Sequence, residues 1–226
     1  MQKRNLLIII LFLFTGTIGW SAERIRQNFD FDWQFRLREK ILWNDSWLFC
    51  LDDQENMSQT DYDDKNWTRV GLPHDWSIEL DFNEEVGPES GYLPGGIGYY
   101  KKDFNVPASY KGKRVSIVFD GIYHKATIYL NGQEVDYHRY GYTSFETDLT
   151  PYLKYGGKNT LSVKVDHSEK SRWYTGSGIY RHVWMQVTNP IHVKMWGTYI
   201  TTPRVSAESA IVSCVTTVAN TSALTG

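Results

Sequence analysis

Two short segments hold the residues best suited to chemistry on a ligand. The first is Pro73-His74-Asp75-Trp76, and the second runs from Ser171 through Arg172, Trp173, Tyr174, Thr175, Gly176, Ser177, Gly178, Ile179 and Tyr180 to Arg181. A histidine beside an aspartate can exchange hydrogen bonds with hydroxyl groups, and a neighbouring indole can cover the apolar face of a sugar ring. Pro73 fixes its own φ and pushes Leu72 into an extended conformation, so the chain reaches His74 along a rigid path. In the second segment a guanidinium next to aromatic rings suits a polyhydroxylated ring, and Gly176 and Gly178 allow a tight turn that presents them. The candidate sugar-binding residues are therefore His74, Asp75, Arg172, Trp173 and Tyr174. The same residues also fit a structural role. His74 and Asp75 could hold their loop together with Trp76 in the core, Arg172 and Arg181 could pair with acids across the fold, and Trp173 could pack inside.

Several classes are excluded by balance. Lys and Arg number 24 against 26 Asp and Glu, a formal net charge of -2, so there is no electrostatic footprint for nucleic acid or an anionic membrane. Hydrophobic residues at 41% and charged residues at 22% rule out a disordered tail, a collagen or a coiled coil. The unusual quantity is the aromatic content of 15%: many of these residues are expected in the core, and so many Trp and Tyr also suit a surface that grips flat, amphipathic ligands such as sugars. Cys50 and Cys214 lie far apart with no partnering histidine cluster, so they read as thiols, and no metal site or cofactor is implied.

The elements that must position these residues are strands. Phe29, Phe31, Trp33, Phe35 and Leu37 alternate with polar residues, as do Val115, Ile117 and Phe119, and Ala126, Ile128 and Leu130. Asn131-Gly132 predicts a hairpin with a return strand over 133–138. Further strands are predicted over 99–106, 161–165 and 183–187, and Thr150–Tyr155 can form at most one helical turn. This pattern predicts an all-β fold, an antiparallel β-sandwich of the jelly-roll kind. Two long loops, Glu39 to Lys65 and Glu79 to Gly98, are expected to gather at one end, where binding residues are presented.

The ends read differently. Lys3 and Arg4, an apolar run from Leu6 to Phe14 and small residues at Gly16, Gly19, Ser21 and Ala22 form the layout of a secretory signal peptide over residues 1–21. The run is too short to span a membrane, which leaves no membrane span after its removal. The sandwich is expected over 22–190. Residues 191–202 read as an edge strand and a linker at Thr201-Thr202-Pro203, and 203–226 as the first strand of a further, truncated domain, since one strand cannot bury its own face.

Taken in order, Asp63-Asp64-Lys65-Asn66-Trp67-Thr68-Arg69-Val70-Gly71-Leu72-Pro73-His74-Asp75-Trp76, Gly95-Gly96-Ile97-Gly98-Tyr99-Tyr100-Lys101-Lys102, the turns Phe119-Asp120-Gly121 and Tyr129-Leu130-Asn131-Gly132, and the Ser171–Arg181 segment follow the motif order of glycoside hydrolase family 2. Over roughly residues 24–190 the chain resembles the N-terminal sugar-binding, galactose-binding-like domain of that family, in its β-galactosidase branch. Residues 191–226 resemble the start of the immunoglobulin-like domain that follows. The resemblance implies a domain that packs against a catalytic barrel of the same chain and can lend a loop to the sugar site. It also implies a retaining hydrolase whose two carboxylates, about 5–5.5 Å apart, sit on barrel strands downstream of this chain, so no catalytic residue is assigned here. Asn83-Glu84-Glu85 reads as a solvated acidic loop. Some relatives carry an acidic residue just before the tryptophan of the last motif, serving a metal; Ser171 and Arg172 stand there in this chain, and no metal site is carried over. The expected function is the non-catalytic N-terminal portion of a secreted or periplasmic β-galactosidase-like hydrolase, with a β-galactoside-type carbohydrate and the downstream barrel as partners. A free-standing, lectin-like carbohydrate-binding module and a purely structural domain are the alternatives.

Overall fold

The structure, a computed structural model, describes residues 39–169 and 171–222. The expected signal segment and the alternating run from Phe29 to Leu37 lie outside the described residues. Two compact units divide between Asn189 and Pro190, where the sequence changes character.

The first unit contains strands β1 (Glu39–Leu42), β2 (Trp47–Leu51), β3 (Thr68–Val70), β4 (Gly96–Asn105), β5 (Arg114–Phe119), β6 (Ala126–Leu130), β7 (Gln133–His138), β8 (Phe145–Asp148), β9 (Lys158–His167) and β10 (Val183–Thr188). They form a six-stranded sheet in the order β3-β2-β4-β9-β6-β7 and a four-stranded sheet in the order β1-β10-β5-β8. Every pairing is antiparallel, as an all-β sandwich requires. The alternation read from sequence decides which side chains meet between the sheets. Val115, Ile117 and Phe119 of β5 share a core with Ile128 and Leu130 of β6 and Leu161, Val163 and Val165 of β9. The Asn131-Gly132 turn joins β6 to β7 with both residues at positive φ, the backbone that a two-residue hairpin needs. The expected helical turn near residue 150 is a single 3-10 turn over Thr150–Tyr152.

One of the two expected long loops begins with two strands. Residues 39–65 contain β1 and β2, which belong to opposite sheets, so the chain crosses from one layer to the other between Leu42 and Trp47. Trp43 and Trp47 plug that crossing: both are buried, and the Trp47 indole donates to the Trp43 carbonyl at 2.7 Å. β1 is only four residues long and β2 is an unbroken apolar run, Trp47-Leu48-Phe49-Cys50-Leu51, so neither shows the period of two that marks a strand in the sequence. The remainder of the segment folds over the outer face of the six-stranded sheet, where Met57 and Trp67 pack on Tyr99.

The second unit corrects the expected linker and unpartnered strand. β11 (Ile191–Val205) runs through Thr201-Thr202-Pro203 without a break and pairs antiparallel with β12 (Ala210–Asn220). The register shifts between Thr201 and Arg204, bracketing Pro203, which has no N–H for the ladder and is tolerated at a bulge. A proline read as a linker is thus an irregularity inside a hairpin.

The fully buried Trp47 sets a test of this core. Trp47→Ala should lower unfolding stability by about 3–5 kcal/mol, measured as a shift in the urea midpoint by far-UV circular dichroism. A shift no larger than that of a surface substitution would place Trp47 outside the core.

Candidate functional site

The site is built on one carboxylate. The segment 74–76 runs beside 177–179: the His74 N–H donates to the Ile179 carbonyl at 2.9 Å, and the Trp76 N–H to the Ser177 carbonyl at 3.2 Å. Asp75, between them, accepts from the Ser177 N–H at 2.8 Å and from the Ser77 N–H at 3.1 Å with Oδ1. The Tyr174 hydroxyl donates to Oδ2 in a short contact. The close approach demands glycine twice. A Cβ at Gly176 would lie 2.7 Å from Asp75 Oδ2 and one at Gly178 2.1 Å from the Tyr100 hydroxyl, and both residues have positive φ. The glycines of the last motif therefore bring two loops into contact, besides turning the chain.

His74 and Asp75 are consequently not free ligand groups. His74 is 6% exposed. Its Nδ1 bonds the Tyr100 hydroxyl at 2.7 Å, and its ring packs edge-on against Phe49. Trp76 is core, stacked on Phe49 with centroids 5.5 Å apart. Neither His74 nor Asp75 lines the cleft described below, so the sugar-contact expectation gives way to the structural one for these two. The Asp75 carboxylate and His74 Nδ1 are spent on holding the loops together, as buried polar groups generally are, while His74 Nε2 makes no hydrogen bond and lies 3.4 Å from a Glu79 carboxylate oxygen.

Arg172, Trp173 and Tyr174 do come together, at the rim of a cleft of about 720 Å³. One wall is the Ser171–Thr175 segment, and the other comes from the loop over Val86–Leu93, with Ser77, Gly95, Gly96 and His167 also lining it. Trp173 is 65% exposed, and the Arg172 guanidinium sits 5.0 Å from its ring centroid, a cation–π geometry. Neither Arg172 nor Arg181 pairs with a carboxylate among the described residues. Tyr174 stands between lock and cleft. Partial burial and its bond to Asp75 push its phenol well above the ordinary tyrosine pKa. Glu169, also on the cleft wall, is bonded to Lys125, which holds its carboxyl below the usual range. The Asn83-Glu84-Glu85 triplet is exposed and does not line the cleft.

Sequence reasoning passed over His167, Ser77 and Thr175. A signal for His167 existed: it continues the inward series Leu161, Val163, Val165 by one more step of two. That places an imidazole on the inner face at the end of a strand.

The fold is an antiparallel β-sandwich that carries an arginine-backed indole at a cleft. The family model described as "Glycosyl hydrolases family 2, sugar binding domain" matches residues 27–190, and the chain belongs to that family. Among curated relatives, the chain is 46% identical to the beta-galactosidase BoGH2A of Bacteroides ovatus over 82% of its own length and 22% of that protein's. It is 35% identical to a putative beta-glucuronidase of Formosa agariphila, over 94% of this chain and 20% of the relative. The chain thus spans about a fifth of the length of these relatives. Among solved structures, a glycosyl hydrolase family 2 member from Bacteroides cellulosilyticus superposes with a TM-score of 0.77 at 40% identity, covering 84% of this chain and 26% of that one. A beta-glucuronidase of Bacteroides uniformis does so with a TM-score of 0.69 at 31% identity, covering 79% and 22%.

Asp75 holds three donors at once, so its loss should be felt in the fold. Asp75→Ala should lower stability by about 2–3 kcal/mol, since buried donors to a charged acceptor are left without one, and Tyr174→Phe, which removes a single donor, by less. Thermal unfolding of both variants checks the ranking; equal stability of wild type and Asp75→Ala would remove the lock. Because the Tyr174 pKa is raised in the folded state, the stability this group contributes is fully present below the ordinary tyrosine pKa and is lost as pH rises through the folded value. A spectrophotometric tyrosine titration should accordingly lose a late-ionising group in Tyr174→Phe.

Proposed function

We propose that the chain is the non-catalytic N-terminal portion of a secreted or periplasmic glycoside hydrolase of β-galactosidase-like, retaining type. In this reading it packs against a catalytic barrel of the same protein and supplies the Trp173 wall of the sugar site, while the catalytic carboxylates lie on the barrel. The observation that carries the reading is the indole of Trp173, left exposed with a guanidinium beside it on a rim that the Asp75 lock holds rigid. A large apolar ring kept in water at such a position is suited to a ligand's flat face. The galactoside preference rests on the relative at 46% identity, whose name is beta-galactosidase. Export rests on the signal-like layout of residues 1–21.

One wall buries little of a ligand and still bears the entropy of association, so the chain alone should bind methyl β-D-galactopyranoside weakly, at about 1 mM or above. Trp173→Ala should abolish that binding, followed by chemical-shift titration. Its melting temperature should stay within about 2 °C of wild type, as expected for an exposed side chain. A variant that melts early yet binds unchanged would make Trp173 a packing residue and end the proposal. Micromolar affinity of the chain alone would instead favour the free-standing carbohydrate-binding module.

A further inference from the structure

Two residues that line the cleft, Ser77 and His167, are joined through the buried Ser177 by a hydrogen-bond chain whose proton positions can be counted. The Ser77 Oγ lies 2.6 Å from the Pro94 carbonyl oxygen, and the Ser177 Oγ lies 2.5 Å from the Ser77 Oγ. The His167 Nδ1 lies 2.6 Å from the Ser177 Oγ. Contacts this short each need a proton between the heavy atoms. A carbonyl only accepts, so Ser77 spends its single hydroxyl proton on Pro94. Ser77 must then accept from Ser177, which spends its own proton there. Ser177 can only accept from His167, so the proton of that last contact resides on Nδ1. The direction of the chain is set by the one member that cannot donate.

With Nδ1–H turned inward to the fully buried Ser177, the other ring nitrogen carries a bare lone pair. Nε2 lies beside Thr175 Oγ1, at 3.5 Å, and both residues line the cleft. The Thr175 hydroxyl is also within reach of the Gly176 carbonyl, at 3.3 Å, so it is at most a weak donor to the imidazole. The Tyr123 ring, edge-on at 4.8 Å, fixes the plane of the imidazole. Burial, and then the neighbouring His124, hold His167 below the ordinary histidine pKa against the opposite pull of Asp75 and Asp166. Nε2 is therefore unprotonated in neutral solution.

We propose that His167 Nε2 is a directional acceptor in the cleft that reads a hydroxyl hydrogen of a glycoside ring seated near Trp173, and that Ser177 and Ser77 are the positioning residues that hold it in this tautomer. The inference rests on the sugar-facing reading of the cleft and adds a specificity element to it. A ligand whose hydroxyl at that point is removed or methylated cannot donate and leaves the lone pair unanswered, which costs more than a contact never designed for a donor.

The test separates the tautomer from the ligand. Long-range proton–nitrogen correlation on the isotopically labelled full chain at neutral pH should show Nδ1 protonated and Nε2 bare in the His167 ring. Ser177→Ala keeps the imidazole but removes the acceptor for Nδ1–H. It should admit the Nε2–H form and weaken methyl β-D-galactopyranoside binding about three- to tenfold. A monodeoxy galactoside series should contain one member that loses about as much against wild type and loses nothing further against His167→Phe. An Nε2–H tautomer in the wild type, with the glycoside still bound, overturns this inference alone. So does a deoxy series that discriminates equally in wild type and His167→Phe. If His167→Phe fails to fold, the wild-type tautomer and the Ser177→Ala affinity decide the matter. If the tautomer is as assigned but the wild type binds neither methyl β-D-galactopyranoside nor methyl β-D-glucuronide, the sugar-facing reading of the cleft falls and takes the ligand claim with it.

Discussion

The carboxylate of Asp75 ties together the two segments on which the cleft depends. It gathers two backbone N–H groups and a phenol from chain positions about a hundred residues apart, and a charged acceptor makes stronger bonds than a neutral one. Without it, the Ser171–Thr175 wall would be an exposed loop with an arginine and two aromatic rings, free to sample many arrangements. With it, the same residues are held against a sandwich edge. The glycines at 176 and 178 follow from this constraint, since a side chain at either position would occupy the space of Asp75 or Tyr100.

Behind the lock lies an aromatic core that gives it something rigid to bear on. Phe49, His74, Trp76 and Tyr100 pack ring against ring, and the Tyr100 hydroxyl serves both His74 and the Ile179 N–H. On the outer face of the same sheet Lys101 is buried but not alone: its ammonium meets Asp64 at 3.3 Å, the Gln59 carbonyl at 3.2 Å and the Trp67 ring at 5.0 Å. A charge taken from water needs that many partners. The segment that supplies them is thereby clasped to the sheet. Adjacent residues of one strand, Tyr100 and Lys101, thus fasten a loop on each face, which is what strand alternation makes possible.

The site has a division of labour that its residue types alone would not suggest. Groups that look most reactive in the sequence, His74 and Asp75, are consumed by architecture. What stays exposed at the cleft is a tryptophan with an arginine beside its ring. His167 and Ser77 add polar groups to the cleft lining, and their proton order, relayed through the buried Ser177, is imposed by a carbonyl that can only accept. Preorganisation of this kind lowers the entropy a ligand must lose on binding.

Much of the fold was legible because period-two alternation is a local property. The core strands β5, β6 and β9 and the Asn131-Gly132 hairpin each declare themselves within a few residues, and the aromatic, glycine-rich segments that belong to a sugar-binding domain do so by type and order. What the sequence could not show was partnership at a distance. Whether Asp75 would face a ligand or Ser177, whether His74 would meet a sugar or Tyr100, and whether residues 210–220 would find a strand to pair with all depend on contacts between segments remote in the chain. Short strands such as β1 and β2, flanked by polar residues, carry too little periodicity to be seen alone, and Pro203 resembles a break until its bulge is opposed by β12. Residue identity therefore determined which side chains could bind, cap or pack. Only tertiary structure decided which of these each would do, because a hydrogen-bonding group has few bonds to give, and folding allots them before any ligand arrives.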